Sequence, residues 1–285
     1  MTAEPGPTAM PAPRRRSIDF SDLLPRALSA IVLVAVAIGT AVTGGVAFSV
    51  LWWLAALAIH WEWQRLIGSG RDPGRLVLGA LAIALAGIAA PYGFGGWSLL
   101  LLAVGGVAVA LMGPGHRVAS GFGVLYAGLL PLSLGLLRGS DSRGLEAVLW
   151  LFAVVWGTDI MAYFGGRLVG GPKLWRRVSP SKTWSGFLIG ITSGALAGLA
   201  VASPWGTAWA LLPLGACAGV VAQAGDLFES VMKRRFGAKD TGGLIPGHGG
   251  VMDRLDGFLA ACAFAACFGL LRSGLGQSAV GLMQW

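Results

Sequence analysis

The chain has 285 residues, 55% of them hydrophobic and only 12% charged, with a mean hydropathy of +0.72, which excludes an ordinary soluble α/β enzyme and indicates an integral membrane protein. The net charge of +8 does not call for a nucleic-acid partner, because the Lys and Arg residues sit in short connections between apolar segments, where membrane topology accounts for them. Cys217, Cys262 and Cys267 lie inside apolar segments without metal-ligand spacing and read as small buried hydrophobes.

Residues 1–20 are Pro-rich, carry Arg14-Arg15-Arg16 and cannot build a core, so a disordered cytoplasmic tail is expected. The apolar run after Arg26 continues uncharged for 35 residues to Trp61. That is too long for one crossing of roughly 20 residues, and a break near Thr43-Gly44-Gly45 divides it into the first and second spans. After the basic connection with Arg65, Arg71 and Arg75, the run from Leu76 to Gly115 is cut at Pro91-Tyr92-Gly93-Phe94-Gly95-Gly96 into the third and fourth. Val118–Leu137 reads as the fifth span, Leu145–Phe164 as the sixth, Trp184–Ser203 as the seventh, Thr207–Gly225 as the eighth and Gly257–Leu271 as the ninth. The expected fold class is therefore all-α, a polytopic integral membrane helical bundle of about nine transmembrane helices. Its expected regions are the tail 1–20, N-terminal transmembrane helices 21–140 and a C-terminal transmembrane catalytic region 141–285.

Nine crossings sort the connections into two faces. All 21 Lys and Arg residues except Arg138, Arg143 and Arg272 fall on the face that holds the N-terminus, an asymmetry of eighteen to three. Positive charge marks the cytoplasmic side, so the expected setting is the cell inner membrane, multi-pass, with the N-terminus and the active site in the cytoplasm.

On that face, Gly225–Gly257 gathers Asp226, Glu229, Asp240, Asp253 and Asp256 with Lys233, Arg234, Arg235, Lys239 and Arg254 around the turn Pro246-Gly247-His248-Gly249-Gly250. A solvated loop between helices is the plain alternative. The spacing argues against it: Asp226 and Glu229 stand at i, i+3 with Lys233 at i+7 on the same helical face, and Asp253 and Asp256 repeat the i, i+3 interval. Carboxylates are hard oxygen ligands for Mg²⁺, which takes one or two of them plus substrate phosphates. Lys and Arg neutralise phosphate, and a glycine-rich turn lets backbone N–H groups approach its oxygens. The chemistry indicated is a metal and polyphosphate site at a membrane face.

A second constellation, Asp159–Gly186, lies on the same face. Asp159 sits inside an apolar helix, either as part of the site or as a structural partner of Arg167. Arg167, Lys173, Arg176, Arg177 and Lys182 exceed what topology needs, and Ser179-Pro180-Ser181-Lys182-Thr183 reads as a rigid turn aiming hydroxyls and an ammonium at an anion near a helix start. His60 reads as an interfacial residue among tryptophans and His116 as a loop residue; His248 is open between a phosphate donor or acid and a turn stabiliser.

Ser230, Lys233-Arg234, Lys239-Asp240, the Pro246–Gly250 turn, Asp253-Arg254 and Asp256 together closely resemble the signature of the phosphatidate cytidylyltransferases, the CDP-diacylglycerol synthases. The resemblance extends to Asp159, Ala162, Tyr163, Gly166 and Arg167 and to Ser179-Pro180-x-Lys182-Thr183, and so covers roughly the C-terminal half. Two positions depart from the pattern: Gly257 stands where the family has Ser, and Ser185 where it commonly has Glu. The resemblance implies transfer of the cytidylyl group of CTP to phosphatidate, giving CDP-diacylglycerol and pyrophosphate, with a homodimer as the assembly. By the same match Asp226 and Asp253 hold Mg²⁺, with Asp256 and Asp240 as further ligands or behind them, and Lys239 and His248 join the catalytic set. Lys182, Lys233, Arg234, Arg254 and Arg167, with Ser179, Ser181, Thr183, Gly247, Gly249 and Gly250, bind the two substrates. Two other functions remain as alternatives: a CTP-dependent lipid kinase moving the γ-phosphate, and a transporter using Asp159 and Asp226 as an ion path.

Overall fold

The computed structural model describes residues 23–70, 72–89, 95–113, 115–139, 142–205, 209–245, 249–274 and 276–285. The expected tail 1–20 lies outside the described residues, as do Pro246, Gly247 and His248. The elements in order are α1 (Leu23–Thr43), α2 (Gly45–Leu66), α3 (Pro73–Ala89), α4 (Gly95–Leu111), α5 (Arg117–Arg138), α6 (Gly144–Leu168), the strands β1 (Lys173–Trp175) and β2 (Ser179–Thr183), α7 (Trp184–Ala202), α8 (Leu211–Arg235), α9 (Met252–Ser273) and α10 (Ser278–Met283).

The chain is an all-α membrane bundle. Among the described residues six helices are long and apolar enough, by length and composition, to cross a bilayer. The places of the other three expected spans are held by shorter apolar helices, Leu28–Thr43, Pro73–Ala89 and Gly96–Leu111. A 17-residue helix such as α3 reaches about 25 Å, less than the hydrocarbon thickness of about 30 Å. The break between α1 and α2 falls at Gly44 and Gly45, whose φ angles of 64° and 57° are in the left-handed region that other residues avoid.

Successive helices run up and down, because their ends meet in two separate sets. At one end Arg138 Nε donates to Ala41 O at 2.8 Å and Arg143 Nη1 to Trp205 O at 3.2 Å. At the other, Trp63 Nε1 donates to Ala119 O at 2.8 Å and Gln64 Nε2 to Ser120 O at 3.0 Å. The second end carries the expected site.

Two boundaries differ from expectation, for one reason. α8 runs on to Arg235 and α9 begins at Met252, so Asp226, Glu229, Lys233, Asp253 and Asp256 stand on helices and the true connection is only 236–251. Charged residues end an apolar run, but they end a helix only if they must reach water; here they face one another inside the protein. The hairpin β1–β2 and the closing helix α10, which packs back on α9, were not foreseen.

α6 and α7 make the most extensive helix pair among the described residues. Gly186, Gly190, Gly194 and Gly198 recur every fourth residue on α7, and a Cβ on any of them would strike α6: at Gly186 it would lie 2.6 Å from Ala162 O, at Gly190 2.6 Å from Thr158 O and at Gly194 2.5 Å from Val154 O. Small residues let backbones approach where lipid offers no hydrophobic drive for helix association. Gly194→Ala should therefore cost about 1–3 kcal/mol through overpacking and lower the melting temperature in detergent by several degrees. Gly39→Ala, where a Cβ meets nothing within 4 Å, should leave it unchanged; equal melting of both variants would refute this packing.

Candidate active site

A second glycine contact, between α8 and α9, builds the site. A Cβ on Gly225 would lie 2.8 Å from Asp256 O and 3.3 Å from Gly257 Cα, and one on Gly257 would lie 2.8 Å from Ala222 O. The helices cross with backbone against backbone, and each glycine has an aspartate as its neighbour, Asp226 on α8 and Asp256 on α9. One turn further along α8, the buried Glu229 side chain comes within hydrogen-bonding reach of the Asp256 carboxyl, while Glu229 Oε1 takes no donor. Two facing carboxyls need a proton or a cation between them.

The cations come from elsewhere in the chain. Lys182, near the end of β2, places Nζ 2.6 Å from Asp226 Oδ2 and donates to Gln223 Oε1 at 3.0 Å. Gln223 turns its amide N–H to Asp159 Oδ1 at 3.3 Å, so Asp159, Gln223, Lys182 and Asp226 form one chain of contacts across α6, the hairpin and α8. Lys233 donates to Glu229 Oε2 at 3.0 Å and to Asp253 Oδ1 at 2.7 Å. Asp253 Oδ2 accepts from the N–H groups of Thr241 at 3.0 Å and Gly250 at 2.9 Å.

These contacts separate the expected site residues. Asp226, Asp253, Asp256, Lys182, Lys233, Arg254, Arg167, Ser181 and Thr183 all border one cavity of about 1450 Å³. Thr183 has a structural engagement as well: its hydroxyl accepts from Gly186 N at 3.1 Å and caps α7. Ser179 stands in β2 against Trp175. Lys239 and Asp240 are exposed on the connection, and Arg234 Nη1 reaches Ala238 O at 3.4 Å. Gly249 is positioned by a bridge to Ile245, while the Gly250 N–H is committed to Asp253. Arg167 bonds Tyr163 OH at 2.7 Å instead of pairing with Asp159.

Among the described residues no three His, Cys, Asp or Glu side chains cluster closely enough to enclose a metal ion. A magnesium ion held by two carboxylates, with phosphate and water completing its shell, needs no such cluster. Asp226 and Asp256 fit that pattern, each next to a glycine of the crossing and near enough for the charge of Asp226 to act on Asp256, with the donorless Glu229 Oε1 one turn away. Asp253 meets three donors, Lys233 Nζ and the N–H groups of Thr241 and Gly250, whereas Asp226 meets Lys182 and, at 3.5 Å, the Ser230 hydroxyl, and Asp256 accepts from Gly257 N at 2.7 Å.

The other end of the cavity is apolar. Leu33, Leu51 and Leu54 of α1 and α2 border it, and Trp52 forms an aromatic floor with Phe152 and Phe258 at ring distances of 6.0 and 5.2 Å. A cavity that is oily on one side and ionic on the other suits an amphiphile meeting a polyanion.

A family model described as cytidylyltransferase matches residues 24–271. The chain belongs to the cytidylyltransferase family. It is 41% identical over 261 residues to a phosphatidate cytidylyltransferase of Brucella melitensis biotype 1, covering 88% of this chain and 95% of that one. A phosphatidate cytidylyltransferase of Brucella suis biovar 1 matches equally over the same length. One of Staphylococcus epidermidis is 44% identical over 121 residues, covering 41% of this chain and 46% of its own. The match takes in both halves of the chain, whereas the signature lies in the second.

Both departures from the family signature have local explanations. Ser185 Oγ donates to Gly170 O and lies 3.0 Å from Thr183 Oγ1, tying the loop before the hairpin to the start of α7. Gly257 is where α9 touches the α8 backbone, with no space for a side chain. Sequence reasoning missed Gln223, a neutral residue inside a span, and Glu62 on α2; neither belongs to a charge cluster or motif.

Lys233 serves two carboxylates whose side chains are only 1% and 9% exposed. Replacing it with Met should leave both without their cation and cost about 3 kcal/mol or more, as for other broken buried pairs. Asp226 is 34% exposed at the cavity wall, so Lys182→Met should cost under about 1 kcal/mol. Thermal denaturation in detergent should rank Lys233→Met far below Lys182→Met; the reverse order would contradict these assignments.

Proposed function

We propose that the chain transfers the cytidylyl group of CTP to phosphatidate, giving CDP-diacylglycerol and pyrophosphate. The carrying observation is the single cavity of about 1450 Å³, which joins the apolar walls of α1 and α2 to the charged ends of α8, α9 and the hairpin. Phosphatidate has that shape of polarity: its acyl chains lie against Leu33, Leu51 and Leu54, and its phosphate reaches the cations. CTP enters from the face to which the pattern of apolar runs assigns eighteen of the 21 Lys and Arg residues, in this proposal the cytoplasmic face of the inner membrane. The protein works as a homodimer in this proposal.

Asp226 and Asp256 would hold Mg²⁺, which when bound would neutralise phosphate charge. Lys182 and Arg254 border the cavity and neutralise the remaining phosphate oxygens, while Arg234 in the last turn of α8 and Lys239 on the connection receive the outer end of the triphosphate. Asp253 keeps Lys233 and the glycine connection in place, with Lys233 offering positive charge to the cavity. A phosphatidate oxygen attacks the α-phosphorus of CTP, the new P–O bond forms as the bond to the β-phosphate oxygen breaks, and pyrophosphate leaves. Neither reactant needs a covalent bond to the protein, so catalysis is positioning and charge neutralisation. Asp159 and Gln223 orient Lys182 through the contacts described above.

A lipid kinase would use the same cations but transfer the γ-phosphate, so the fate of label decides. With purified protein, phosphatidate and Mg²⁺, the α-phosphate label of CTP should pass into a chloroform-soluble CDP-lipid and the γ-label into pyrophosphate. Appearance of γ-label in the lipid, with CDP released, would overturn the proposal.

A further inference from the structure

Glu62, near the end of α2, is fully buried, and its carboxylate is aimed at the connection between α8 and α9, some 190 residues away in sequence. Oε1 accepts from Val251 N at 3.0 Å; Oε2 accepts from Met252 N at 2.7 Å and from Thr241 Oγ1 at 3.4 Å. Val251 is the N-cap residue of α9 and has no side-chain cap of its own. A helix start leaves unpaired N–H groups and favours negative charge, and Glu62 supplies both acceptor and charge from another helix.

Two glycines of the connection, Gly242 and Gly250, close around this carboxylate. A Cβ on Gly242 would lie 2.6 Å from Glu62 Oε1, and one on Gly250 would lie 2.7 Å from Oε2 and strike Thr241 Oγ1. Neither glycine has a positive φ, so close approach and not backbone conformation demands glycine at both positions. Glu62 thus holds Thr241 and Val251, the two ends of the glycine-rich stretch 241–251 within the connection, and Asp253 holds Thr241 and Gly250 from the other side. The connection is closed at its base by two carboxylates, one from each half of the chain.

We propose that Glu62 is a positioning residue for cytidylyl transfer: it occupies the place an anion would take at the start of α9, and thereby fixes the first turn that carries Asp253 and Asp256. The same contacts have a consequence for the substrate. The N–H groups of Gly250, Val251 and Met252 are committed to the protein's own carboxylates, so the triphosphate is bound by side-chain cations and not by these glycine-turn amides.

Glu62→Gln keeps the shape, removes the charge and leaves one of the two backbone N–H groups facing an amide NH₂. Hydrogen exchange followed by mass spectrometry reads the consequence directly. Amides of 241–252 should exchange on the order of tenfold faster, the loss of one buried hydrogen bond, while α6 and α7 keep their protection. The catalytic arm rests on the proposed transfer reaction: kcat should fall on the order of 10- to 100-fold, as for a small misplacement of catalytic groups, with the KM for CTP changing far less. Wild-type protection in 241–252, or loss of protection spread evenly over all helices, would overturn the positioning role whatever the activity. If the protein showed no cytidylyl transfer at all, the reaction assignment would fail and the exchange arm would still decide about Glu62. Should Glu62→Gln not purify, Gly242→Ala presses on Oε1 from the opposite side and must loosen the same segment; wild-type exchange there would be equally contrary.

Discussion

The close approach of α8 and α9 at Gly225 and Gly257 is the constraint on which the site depends. Without it Asp226 and Asp256 would stand a side-chain length apart and Glu229 would have no carboxyl to face. With it, negative charge is concentrated at the end of a membrane bundle, where it persists only if cations and N–H groups answer it. The chain supplies them from separate elements: Lys182 from the hairpin, Lys233 from α8, and the amides of Thr241 and Gly250 from the connection. The site is consequently a property of the assembled bundle and of no single segment.

The first half of the chain is more than a membrane anchor. α2 sends Trp52 against Phe258 to floor the cavity and Glu62 to the start of α9, while α1 and α2 give the cavity its apolar wall. The family match over residues 24–271 includes these helices, consistent with a site that draws on both halves. The polarity gradient of the cavity follows from this division, with generic hydrophobic helices on one side and the charged signature on the other.

Much of this was legible in the sequence. Apolar run lengths and the glycine break at Gly44-Gly45 place most helix ends within a few residues, and the order of Asp, Lys and Gly in the signature marks where the chemistry lies. What stayed hidden was where charges are paired. The sequence places Lys233 on the helical face of Asp226 and Glu229 as a phosphate ligand; the structure keeps it on that helix, between two acids. Gly250 looked like a phosphate cradle, but its N–H goes to Asp253. Glu62 and Gln223 could not be found at all, because their partners are brought to them only by tertiary packing over 190 and 64 residues.

The central claim is that Asp226 and Asp256, set together by the glycine crossing, hold one divalent ion and act as a unit. A double-mutant cycle on turnover tests it most directly, with Asp226→Asn, Asp256→Asn and the pair measured across a Mg²⁺ titration. Each single variant should fold normally and lose turnover by roughly a hundredfold or more, with the double variant little worse than the poorer single one, as for other groups that act together. Near-normal turnover of either single variant at limiting Mg²⁺, or losses that simply multiply, would contradict the shared ion.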